Sequence, residues 1–263
     1  MNLTKKNRDM KTKKKESTKM NFKSMQTKKR PSVMFDDMNN LTKMVANNIS
    51  PSLVITGQPG LGKTFNVCKT LDELGLQEDI DFVHVKGRCT AAGMFITLFE
   101  NQDKLIIFDD CDSVFKDVDG VNLLKGALDS YDKRVITWMT AKGLKDQEGE
   151  LLPRSFNFTG KIIFISNLPI AKVDSAIRSR SFVLDISLTS EQLMKRMRDL
   201  LAKVEPEVDM KTKREALSAL KGAFKKFEGV ELNFRSLIKA IRIRQMGFKN
   251  WRAMIAEQVM GVK

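Results

Sequence analysis

Short, nearly continuous apolar runs alternate along this chain with longer stretches in which apolar residues recur at helical spacing. Pro51-Ser52-Leu53-Val54-Ile55-Thr56, Phe82-Val83-His84-Val85, Lys104-Leu105-Ile106-Ile107-Phe108-Asp109-Asp110, Lys161-Ile162-Ile163-Phe164-Ile165-Ser166-Asn167 and Phe182-Val183-Leu184-Asp185-Ile186 are of the first kind and predict buried strands. Between them, Phe35, Met38, Leu41, Met44 and Val45 predict a helix from Phe35 to Asn48, stopped by Pro51. Thr64–Leu74, Thr90–Glu100 and Gly120–Tyr131 read as further helices, the last through Val121, Leu124, Leu128 and Tyr131. Arg134–Trp138 and Ser155–Phe158 alternate apolar and polar positions across a charged loop, which predicts a projecting hairpin. From Thr189 onward the pattern is helical only. One stripe holds Leu193, Met194, Met197, Leu200, Leu201 and Val204 and stops at Pro206, and a second holds Leu217, Leu220, Phe224 and Phe227. Asn233 and Asn250 are candidate caps for two last helices, carrying Leu237 and Ile241, and Trp251 and Ile255.

The chemistry lies where strands end. Gly57-Gln58-Pro59-Gly60-Leu61-Gly62-Lys63-Thr64 follows the first strand and opens a helix, the context that the phosphate-cradling pattern G-x-x-x-x-G-K-[ST] requires. Glycines let backbone N–H groups turn inward on phosphates, the helix N-terminus adds its dipole, and Lys63 neutralises the outer oxygens. Thr64 offers a hydroxyl to Mg²⁺, and Phe65 follows directly within the same nucleotide-binding segment. A nucleoside triphosphate, ATP, with Mg²⁺ is therefore the expected ligand. The third strand ends in Asp109 and Asp110, the Walker B pattern. Its position places Asp109 to hold Mg²⁺ and Asp110 to orient an attacking water, with Asp112 a second candidate. Asp110 stands where a Glu is usual and is one methylene shorter. Asn167, at the end of the fourth strand, is placed to hydrogen-bond that water or the terminal phosphate. His84, the only histidine, has no ligand-like company in the sequence and reads as a strand-packing or surface residue.

Charge divides the 263 residues unevenly. Of the net +14, residues 1–30 hold 12 Lys and Arg against 2 Asp and Glu, residues 31–188 hold 17 against 21, and residues 189–263 hold 17 against 9. Basic ends around a mildly acidic middle suggest contact with a polyanion, most simply nucleic acid, or else a solvated tail. The first 30 residues carry one aromatic, Phe22, too little apolar surface to fold alone, and read as a disordered arm. Cys68, Cys89 and Cys111 lack C-x-x-C spacing, which argues against a zinc site or disulfide framework. No apolar run reaches membrane-spanning length and no secretory signal is evident, so a cytoplasmic protein is expected.

Taken in order, Gly57–Thr64, Leu105–Asp110, Ile162–Asn167 and Ala176–Phe182 resemble the AAA+ ATPases, from about residue 33 to the end. The resemblance implies a five-stranded parallel α/β sheet flanked by helices and followed by a small helical lid. The expected divisions are 1–32 basic arm, 33–188 nucleotide-binding core and 189–263 lid. By resemblance Asn167 is sensor one, Arg180 in Ser179-Arg180-Ser181 is an arginine finger reaching a neighbouring subunit's nucleotide, with Arg178 the fallback, and Arg235 is sensor two. A homo-oligomeric ring or partial ring with ATP between subunits is implied, a hexamer being the expected form. The basic ends and the turn Lys86-Gly87-Arg88 favour a viral or phage-type motor on nucleic acid, working in the host cytoplasm. A remodeller or loader of protein partners, with the arm as docking peptide, and a superfamily-three-like helicase remain as alternatives.

Overall fold

The computed structural model describes residues 30–259 except Asp132, Gln147, Glu228 and Glu231. Residues 1–29, most of the expected arm, lie outside the described residues. In chain order the elements are α1 (Pro31–Ala46), β1 (Ser52–Gly57), α2 (Lys63–Glu73), β2 (Phe82–Lys86), α3 (Ala91–Glu100), β3 (Leu105–Asp109), α4 (Val118–Ala127), β4 (Val135–Thr137), β5 (Ser155–Asn157), β6 (Lys161–Ile165), α5 (Ser175–Arg180) and β7 (Phe182–Ile186). The tail adds α6 (Ser190–Asp199), α7 (Met210–Lys226), α8 (Phe234–Gln245) and α9 (Trp251–Val259).

Five strands form one parallel sheet in the order β2-β3-β6-β1-β7, and β4 and β5 pair separately as an antiparallel hairpin. The apolar runs are explained by burial on both sides: every residue of β1 is buried. Alternate positions then feed two cores. Leu53, Ile55, Leu105, Ile107, Ile163 and Ile165 face α1, α2 and the helical tail, while Val54, Ile106, Phe108, Ile162 and Phe164 face α3, α4, α5 and the hairpin.

Several elements differ at their ends from the sequence expectation, for local reasons. α1 starts at Pro31, which suits the first helical turn because its missing N–H has no partner there anyway, so residues 31 and 32 are helix rather than arm. α4 starts two residues before Gly120, where the Asp117 side chain accepts from the N–H groups of Asp119 and Gly120, and it stops at Ala127. Tyr131 is thereby released from the expected inward stripe and is 75% exposed. α7 ends at Lys226 with Phe227 already extended, leaving that ring at the surface. Arg134 fastens the hairpin to the sheet. It donates to the Ala127 carbonyl at 2.8 Å and the Gly160 carbonyl at 2.7 Å.

The tail is joined to the sheet through one continuous core that includes Leu193, Met197, Leu220, Leu237 and Ile255. Arg196 of α6 stacks over the Phe35 ring of α1 at 3.3 Å from its centroid. Burial pushes that guanidinium down to about 10, only partly offset by Asp36 and Asp199. No helix among the described residues is long and apolar enough to cross a membrane.

Candidate nucleotide site

β1, β3 and β6 are adjacent and parallel, so the loops at their C-terminal ends converge on one corner. Gly57 leaves β1 with φ 140°, and a Cβ there would lie 2.1 Å from the Ile186 carbonyl oxygen, so only glycine lets β7 pass this close. Gly62, in the left-handed region, then opens α2 with Lys63 at its first position.

Lys63 is 5% exposed, and its Nζ donates to the carbonyls of Gly57 (2.7 Å) and Gln58 (2.9 Å) and to Asn167 Oδ1 (2.8 Å). Burial pushes its ammonium down from 10.5 to about 8, against the opposing pull of Asp110 and Asp109. Asn167 uses its other amide end as well: Nδ2 donates to Asp110 Oδ1 at 2.6 Å. Asp110 sits at φ 57°, a left-handed conformation uncommon outside glycine, which turns its carboxylate out of the β3 line towards β6. Its N–H stays bonded to the Ile165 carbonyl at 2.9 Å. Burial, then the neighbouring Asp109 and Asp112 carboxylates, holds Asp110 above the usual carboxylate range.

Thr64 Oγ1 donates to Asp109 Oδ2 at 2.9 Å, which brings the two expected Mg²⁺ ligands together. Asp112 has a different occupation: it accepts from Ser166 Oγ at 2.5 Å, and the same hydroxyl accepts from the Leu168 N–H at 3.0 Å. It therefore braces the loop that carries Asn167. The chain is similar in fold to two solved structures. A chain of the E. coli MS115-1 HORMA:CdnC:Trip13 complex superposes with a TM-score of 0.51 at 13% identity, covering 88% of this chain and 89% of that one. A variant of Thermotoga maritima RuvB gives 0.50 at 15% identity, covering 87% and 68%.

The fold is that of the AAA+ ATPases.

In sequence, the chain is 32% identical over 212 residues to an uncharacterized 36.7 kDa protein from the nrdC-mobD intergenic region of Enterobacteria phage T4. That match takes in 76% of this chain but only 62% of the phage protein's length. No protein-family model matches the chain.

The remaining predicted positions of the AAA+ plan fall as follows. Arg235, exposed in the first turn of α8, is near enough for its charge to lower the Lys63 and Asp110 pKa values. Phe65 stands 70% exposed on α2. Arg178 and Arg180 are not brought to this corner. Ser52, the first residue of β1, donates to the Arg180 carbonyl (3.3 Å) and to Ser181 Oγ (2.7 Å), so α5 ends level with the start of β1. Gly57 is five strand residues further on, roughly 17 Å at 3.3 Å per residue. Arg180 is half-buried, with one guanidinium nitrogen on the Ala176 carbonyl at 3.2 Å and a buried Nε without a partner, while Arg178 is exposed.

Two features of the corner were missed in the sequence. His84 is not without company: its Nε2 stands 3.3 Å from Asp109 Oδ2 and its Nδ1 3.9 Å from Glu78 Oε1, with the side chain 3% exposed. The tail also meets the phosphate loop directly. The Phe234 N–H donates to the Gly60 carbonyl at 2.9 Å, and a Cβ at Gly60 would fall 2.9 Å from Asn233 Cβ and Cγ. Asn233 is held for this contact by a reciprocal cap, accepting from the Ser236 N–H at 2.9 Å while its own N–H donates to Ser236 Oγ at 3.0 Å. Neither feature is signalled locally, because each joins residues that are distant in sequence.

Proposed function

We propose that this chain binds and hydrolyses ATP as an AAA+ motor acting on nucleic acid, within an oligomer whose neighbouring subunit supplies Arg180. The observation that carries the reading is the hydrogen-bonded chain Lys63–Asn167–Asp110 beside the Thr64–Asp109 pair. The lysine, the water-orienting carboxylate and the magnesium ligands thereby occupy one corner.

The residues fit their ligands. A positive-φ loop at a helix N-terminus with a buried ammonium suits phosphates, and a hydroxyl and a carboxylate in mutual contact suit a hard cation such as Mg²⁺. No cluster of three or more His, Cys, Asp or Glu among the described residues could hold a metal by itself, which suits an ion shared with phosphate oxygens. Mg²⁺, when bound, would neutralise charge developing on the transferred phosphoryl group. Lys63 would neutralise the outer phosphate oxygens, and Asn167 would align Asp110 with the attacking water. With its pKa raised, Asp110 is the better proton acceptor. Arg235 would reach the nucleotide from the lid. Because Arg180 lies at the far end of its own strands, it would serve a neighbour in a ring, as a hexamer provides, with Arg178 as the alternative.

Nucleic acid is favoured as substrate by the basic arm and the tail with 17 Lys and Arg against 9 Asp and Glu. Lys63→Ala should lose ATP binding by more than about a hundredfold, since the backbone cradle then lacks the charge that balances the phosphates. Micromolar binding retained in that variant overturns the site. ATP turnover should rise with single-stranded DNA, and removal of residues 1–30 should reduce DNA affinity and flatten its salt dependence by about 0.7 log units for each phosphate no longer neutralised. A second reading, remodelling of a protein partner, draws on the similarity to a chain from the HORMA:CdnC:Trip13 assembly. Turnover indifferent to DNA but stimulated by a protein would favour it.

A further inference from the structure

We infer that His84 is a positioning residue for the magnesium ligand Asp109, a role that rests on the ATP–magnesium reading and extends it to β2. β2 pairs with β3 at the sheet edge, in the register His84 to Ile107 and Lys86 to Asp109, which brings the ring alongside the last residue of β3. Two side chains from different elements approach one oxygen of Asp109: Thr64 Oγ1 at 2.9 Å from α2 and His84 Nε2 at 3.3 Å from β2, both on Oδ2. With the ring proton on Nε2, both are donors, and the second oxygen, Oδ1, is left for the ion.

The two donors are not equivalent. A threonine hydroxyl turns freely, and Thr64 must also offer a lone pair to the ion. His84 is almost fully buried, so the neighbouring packing limits the rotation of its ring, and the ring in turn fixes the plane of the carboxylate. Glu78, 3.9 Å from Nδ1 and half exposed, flanks the other edge of the ring and completes a carboxylate–imidazole–carboxylate row. The arrangement is that of an outer-shell hydrogen-bond partner, whose loss costs about 10–100-fold in metal affinity or activity at metal sites. The role concerns the hydrogen bond and the rigidity of the ring.

The test measures metal dependence apart from turnover. Binding of a fluorescent ATP analogue by the full chain is followed first in EDTA and then as Mg²⁺ is added, for the unmodified protein, His84→Ala and His84→Gln. Gln places an amide nitrogen close to the position of Nε2. His84→Ala should need about tenfold or more Mg²⁺ for the half-maximal effect, with binding in EDTA within about twofold of the unmodified protein, and His84→Gln should recover most of the difference. An unchanged Mg²⁺ midpoint in His84→Ala overturns the inference while leaving the ATP site standing. So does a His84→Gln midpoint as poor as that of Ala, or a loss of binding of the same size with and without metal, which would mark a packing role. Nucleotide binding by the unmodified protein that ignores Mg²⁺ overturns the ATP–magnesium reading and this inference together.

Discussion

The two ends of the parallel sheet are built on opposite principles. At the C-terminal ends of β1, β3 and β6 each charged group is answered within the chain: Lys63 by two carbonyls and Asn167, Asp110 by Asn167, Asp109 by Thr64 and His84, and Asp112 by Ser166. At the N-terminal end, Arg178 and Arg180 make no ion pair among the described residues, and the Arg180 Nε is buried without a partner. Buried polar groups are normally satisfied, so an orphan of this kind calls for an explanation. The contrast teaches that the chain satisfies its charges at one end of the sheet and leaves two arginines without an ion pair at the other, among the described residues. On the reading proposed above, the first end holds the nucleotide and the second serves a neighbouring subunit.

The largest expected effect tests that contrast directly. Arg180→Ala should bind ATP but hydrolyse it about 10³–10⁵-fold more slowly, the range of a trans-supplied arginine. Mixing it with Lys63→Ala should restore part of the activity, because mixed oligomers pair an intact arginine with an intact phosphate loop. A mixture that stays inactive although mixed oligomers form breaks the comparison and turns attention to Arg178. Next in size, Asp110→Asn should leave binding intact and reduce turnover about 10²–10⁴-fold. An unchanged rate would show that the Asn167–Asp110 bond serves only structure.

A smaller effect comes from pH. Phosphates favour the ammonium form of Lys63, so above its value of about 8 nucleotide binding must take up a proton, and ATP affinity should fall by up to about tenfold per pH unit. The protein alone should move the other way. Between about 8 and 10.5 the folded state binds fewer protons at Lys63 than the unfolded chain, so this group makes stability rise with pH across that window. Titrations of affinity and of melting temperature with parallel slopes would contradict this assignment.

The smallest pair of effects separates the sheet's two faces. Arg134→Ala removes two charged hydrogen bonds on the hairpin face and should cost about 2–4 kcal/mol of stability with little change in ATP affinity. Asn233→Ala removes a helix cap worth about 1 kcal/mol, yet should weaken ATP binding more, because that cap rests on Gly60. Equal effects on affinity would deny the tail any special link to the loop.

What could be read in the sequence was local or periodic. The loop from Gly57 to Thr64 is a contiguous pattern, and the five strands announce themselves because burial on both faces removes polar residues from them. Tyr131 misled because helical spacing continues past Ala127 although the helix does not. His84 and Asn233 were opaque for a different reason. Their partners, Asp109 and Gly60, lie 25 residues away on the neighbouring strand and far upstream in the phosphate loop, and only strand order and tail packing bring them together. A lone histidine in an apolar run carries no mark of which strand will lie beside it.

The hydrogen bond from Phe234 to Gly60 gives the tail a clock that can be read from outside. A backbone proton held by the phosphate loop exchanges with solvent only when that bond opens, so its exchange rate counts excursions of α8 away from the nucleotide corner. One amide thus reports how often the tail lets go, and whether ATP, ADP or a neighbouring subunit changes that frequency.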